Sequence, residues 1–135
     1  MTNPGAQARI TPTRMSGYAG AADAVLVLAF VLIGRASHGE GLWAALETYW
    51  PFLLGLAVGW ALLRAWRNPL TVLSGLGIWA STVVVGLGLR AITGQGTQLS
   101  FMIVTAVVLG VFLLGWRALY ALARRRAVQR MPAAR

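Results

Sequence analysis

Few side chains in this sequence could do chemistry, and they cluster at the margins of apolar runs. Asp23 lies inside the first run, "AADAVLVLAF". A carboxylate inside a membrane-crossing helix is costly unless it is paired or used, so it is a functional candidate by default. "RASHGEG", starting at Arg35, gathers an arginine, the only histidine (His38) and Glu40, one of three acids. "RAITGQG" starts 55 residues later, at Arg90, with Gln95 facing Glu40. Guanidinium forks hold phosphate or carboxylate oxygens two at a time. Arg35, His38 and Arg90 therefore make a candidate site for an anion or a lipid headgroup. The plainer reading makes both arginines caps just past helix C-termini, where cations complement the macrodipole, with Glu40 and Glu47 neutralising them.

Asp23 likewise has two readings. It shares a helical face with Gly20, Val27, Phe30 and Gly34, at spacings of three and four. Near a helix N-terminus its charge is favoured, and Arg64, Arg67 or Arg117 could pair with it at the same interface. The alternative is a carboxylate that couples protons to transport in a small oligomeric transporter. His38 has no second histidine or cysteine beside it, so no metal is expected and a solvated loop residue is the plain reading. Thr93 stands in its place in the second half. No Ser/His/Asp or Cys/His grouping, paired acids or phosphate-cradling loop follows a strand pattern, so neither catalysis nor a cofactor is expected.

The elements that must position these residues are apolar helices. Hydrophobic residues are 58% of the chain and charged ones 11%, against roughly 45–50% and 25% in soluble domains. Four runs, 18–34, 49–66, 69–89 and 99–123, approach the ~20 residues that cross a bilayer as helix. They lack the alternation of a barrel. The fold expected is an all-α bundle of four membrane-spanning helices. A disordered leader, 1–17, precedes it, retained rather than cleaved as a signal peptide. A basic tail, 124–135, follows, and its Arg124, Arg125 and Arg126 extend the last helix onto anionic lipid.

Taking the N-terminus as cytoplasmic, ten arginines fall on that side, and Arg35 and Arg90 on the other. The positive-inside rule then puts both termini in the cytoplasm. Nucleic acid is not expected as a partner despite the net charge of +9, because no binding module or aromatic platform accompanies it. Membrane lipids, other membrane proteins or a second copy are the partners left.

The arginine segments have an echo in Gly59-Trp60 and Gly115-Trp116, 56 residues apart. Two matches at nearly one offset indicate a duplicated helical hairpin, arranged as a parallel repeat. On the third run Gly75, Trp79, Thr82 and Gly86 form a stripe that Arg90 continues, which turns Arg90 into the bundle. Gly55 and Gly59 form a GxxxG pair.

The order Asp23, Gly34-Arg35, His38, Pro51-Phe52, Gly59-Trp60, Thr82, Gly86, Arg90, Phe101 and Gly115-Trp116-Arg117 resembles the family called domain of unknown function 3054. These are small four-span proteins common in high-GC Gram-positive bacteria. The resemblance covers about Asp23 to Arg117 and implies four helices in a bacterial plasma membrane. It implies no activity, so no residue inherits a role from it. The function expected is that of a non-enzymatic integral membrane protein, an accessory subunit or lipid-binding partner. The transporter alternative has the four-span size of small multidrug transporters, whose dual-topology members lack this charge bias.

Overall fold

The computed structural model of the protein describes residues 12–132. Over these residues it is all helical: α1 (Pro12–Ala36), α2 (Leu42–Leu62), α3 (Val72–Ile92) and α4 (Leu99–Gln129). All four are long and apolar enough to cross a membrane. Successive helices pack on one another, and α1 meets α4 to close the bundle. The helix ends differ from expectation. α1 starts at Pro12, so 12–17 of the expected leader is helical, and residues 1–11 lie outside the described residues. α2 starts at Leu42 instead of Tyr49, since Leu42-Trp43 and Leu46 continue the apolar run around Glu47. α3 starts at Val72, where the Thr71 hydroxyl accepts from the Ser74 amide at 3.2 Å as an N-cap. α4 runs on through Arg124, Arg125 and Arg126 to Gln129, the expected helical extension.

The core holds Val27, Phe30, Phe52, Leu56, Ile78, Leu109 and Leu113. Meanwhile Leu73, Val84, Val107 and Leu119 point outward and are exposed. Large apolar side chains thus cover the outside as well as filling the core, while Asp23, Thr82, Arg90 and Arg117 are buried, as hydrocarbon solvent requires. The GxxxG pair proves a true contact. A methyl at Gly55 would lie 2.9 Å from the Thr82 carbonyl oxygen, and one at Gly59 2.9 Å from Ser81 Cβ. These glycines let α2 and α3 approach backbone to backbone, and the Ser81 hydroxyl donates to the Gly55 carbonyl at 2.9 Å.

The connections α1–α2 and α3–α4 leave the same end of the bundle, the hairpin end, and they share the two bonds that close each turn. The Glu40 amide donates to the Arg35 carbonyl and the Gly39 amide to that of Ala36; Gln95 and Gly94 repeat this with Arg90 and Ala91. Gly39 and Gly94 take φ of 67° and 73°. Each is a Schellman motif, whose left-handed residue is cheap only as glycine. The second connection, 93–98, is one residue longer than 37–41. Arg35 and Arg90 therefore occupy the last turns of their helices, a correction to the expectation that they sit just past the ends. A Schellman motif adds residues beyond the last apolar side chain before the chain reverses.

Candidate functional site

Polar groups gather at both ends of the bundle, and the two clusters differ in kind. At the end where α2 turns into α3, Asp23 and Arg117 are both fully buried. Arg117 NH1 donates to Asp23 Oδ1 and NH2 to Oδ2, each at 2.7 Å, as a bidentate fork. Trp116 Nε1 donates to Oδ1 at 2.8 Å and Trp60 Nε1 to Oδ2 at 3.0 Å. The repeated Gly-Trp dipeptides thus converge on one carboxylate. Arg117 also donates through Nε to the Pro69 carbonyl and through NH1 to that of Leu113, at 2.9 and 3.0 Å. Gly75 makes room for it, since a methyl there would lie 2.6 Å from Arg117 Cδ. Every side-chain nitrogen and oxygen of the pair has a partner, which is what buried charge demands. The expected role of Arg64 is corrected: it is exposed at the end of α2, with φ of 48°, and makes no ion pair with Asp23. Arg117 reaches Asp23 from within the bundle, whereas Arg64 has already left the helix in a tight turn.

At the hairpin end the arithmetic does not close. Arg35 on α1 and Arg90 on α3 reach toward each other across α2 and meet at Thr48. Arg35 donates to the Thr48 hydroxyl through Nε at 2.9 Å and also through NH2; Arg90 NH1 approaches the same oxygen at 3.3 Å. That hydroxyl gives its own proton to the Ala44 carbonyl at 3.1 Å. Its two lone pairs are then the bridge between two cations. Arg35 pairs with Glu40 at the rim. In the place equivalent to Glu40, Gln95 offers Arg90 a neutral oxygen at 2.8 Å, with the Gln95 and Gly96 carbonyls at 3.2 and 3.3 Å. Phe101 lies under the Arg90 guanidinium, 4.6 Å away. Arg90 is only 5% exposed, and its Nε has no hydrogen-bond partner among the described residues.

A cavity of about 550 Å³ opens over these groups. Arg35, His38, Glu40, Thr48 and Arg90 form its polar side, while Phe30, Val31, Phe101 and Val104 form an apolar one. The three residues expected at the anion site are thus brought to one cavity, with His38 exposed on the lip. Glu47, expected to help neutralise the arginines, is exposed and makes no ion pair with either. Thr48 was not singled out from the sequence: one threonine in a helix carries no signal until a second helix meets it.

These features define an α-helical integral membrane protein with one sealed polar cluster and one open one. The chain belongs to the family described as "Protein of unknown function (DUF3054)", whose match runs over residues 20–120. No curated protein and no solved structure matches it.

Proposed function

We propose that this protein binds an anionic group, a phosphate or a carboxylate, in the hairpin-end cavity. The reading rests on one observation: two guanidiniums share a neutral hydroxyl, with one carboxylate between them and an orphaned Arg90 N–H, beside about 550 Å³ of space. A like-charged pair in a half-buried site is costly, and a bound anion removes that cost. The proposed setting is a bacterial plasma membrane with both termini cytoplasmic, supported by the arginine bias, so the cavity opens at the outer surface. The protein acts there as a non-enzymatic binding partner. Asp23 gives no support to the coupling-carboxylate alternative, because both of its oxygens are occupied by Arg117 and two indoles.

The test is retention of anions by the purified full chain. Arg35→Gln with Arg90→Gln should lower retention of phosphatidylglycerol and of glycerol phosphate by about tenfold or more, read by native mass spectrometry. Retention equal to that of the unaltered protein would sink the reading.

A further inference from the structure

The anion cavity has a neighbour along the same side of α4, and the two together say what kind of molecule carries the anion. A second hollow, about 500 Å³, lies lower in the seam between α1 and α4. Its lining is apolar apart from Trp116, whose N–H is already given to Asp23. The two hollows share one face of α4. Phe101, Val104, Val108, Val111, Gly115 and Ala118 follow one another at alternating spacings of three and four, which keeps them in line along a helix. Phe101 and Val104 line the arginine cavity; Val111, Gly115 and Ala118 line the hollow. On α1, Phe30 and Gly34 belong to the cavity and Leu26, one turn from Phe30, to the hollow. Gly34 and Gly115 leave open space, for a methyl on either would meet nothing within 4 Å.

Building on the anion-binding reading above, we propose that the ligand is a lipid phosphomonoester. Its phosphate would sit between Arg35 and Arg90 and its hydrocarbon chain would run down the α1/α4 seam into the hollow beside Gly115. Charge fits the head. A phosphomonoester carries about −1.5 to −2 near neutrality. Two guanidiniums match it once the Glu40 carboxylate, 44% exposed, swings into water. Length fits the chain. Gly115 lies 14 residues beyond Phe101, or ~21 Å at 1.5 Å per residue, past the midplane of a hydrocarbon core about 30 Å thick. A chain that reaches it must be longer than one leaflet is deep, which a polyprenyl chain is and a geranyl chain is not.

The full-length protein in mild detergent tests this with three probes: a polyprenyl monophosphate, geranyl monophosphate with the same head and a short chain, and neutral polyprenol. The unaltered protein should retain polyprenyl monophosphate about tenfold better than either other probe. Gly115→Leu should erase the preference over geranyl monophosphate while leaving geranyl monophosphate binding as it was. Ala118→Phe, on the exposed lip of the same hollow, should do likewise, so that one misfolded variant does not decide the matter. A chain-end diazirine on the polyprenyl probe should label α4 near Gly115. Equal retention of long and short phosphates, a preference untouched by both variants, or a second protein copy found in the hollow would overturn the seam. All three would leave the anion site standing. Full binding of both phosphates after Arg35→Gln with Arg90→Gln would remove the anion site itself.

Discussion

Two arginine clusters stand at opposite ends of one bundle, and the balance of donors and acceptors separates them. Near the α2–α3 connection, Arg117 meets a carboxylate in fork geometry, and two indoles complete the carboxylate's partners. At the hairpin end, Arg35 and Arg90 share Thr48, and only Arg35 has a counter-charge. A saturated pair holds helices together; a cluster with surplus charge and adjoining space is equipped to take in something else. Residue type alone does not tell these apart, since both centres rest on arginine.

The sharpest way to break the comparison is to unbalance the saturated end. Arg117→Met leaves Asp23 buried without its counter-ion, which should cost roughly 3–5 kcal/mol. The expected outcome is aggregation, or a large fall in melting temperature in detergent. A protein as stable as the original would mean that the clamp does not hold the bundle. Next come the indoles: Trp60→Phe and Trp116→Phe each delete one donor to Asp23 and should each cost about 1–2 kcal/mol. Similar losses are expected from both, because each serves one carboxylate oxygen. Thermal melts that single out only one of them would show that the repeat is not energetically symmetric.

The hairpin end should respond in the opposite sense. Arg35→Gln should change stability by less than about 1 kcal/mol, since its ion pair with Glu40 is partly exposed, while weakening anion retention. A loss comparable to that of Arg117→Met would collapse the distinction between the two ends. The smallest effect is expected from Glu40→Gln, which removes the internal competitor. It should raise phosphate affinity about two- to fivefold, the worth of a rim ion pair, as measured by titration calorimetry. Weaker binding would mean that Glu40 helps to hold the ligand instead of occupying its place.

Much of this was legible in the residue order. Four apolar runs, the inward turn of Arg90 and the doubled hairpin follow from hydropathy, spacing and the 55-residue echo. Both arginines named for the anion site, Arg35 and Arg90, do meet at Thr48, and of the three offered to Asp23 it is Arg117 that pairs with it. The misplaced features are all at helix ends. Arg64 and the starts of α1, α2 and α3 depend on turns whose residues carry weak local preferences.

The sequence by itself determined that the chain crosses the membrane as two like hairpins, because hydrocarbon tolerates only backbone that satisfies itself and the pattern of apolar runs records that demand. Which arginine is sealed and which is left wanting was decided only by the packing of four helices. Acceptors that lie 94 positions away in the chain, as Asp23 does from Arg117, become neighbours only when α1 closes against α4.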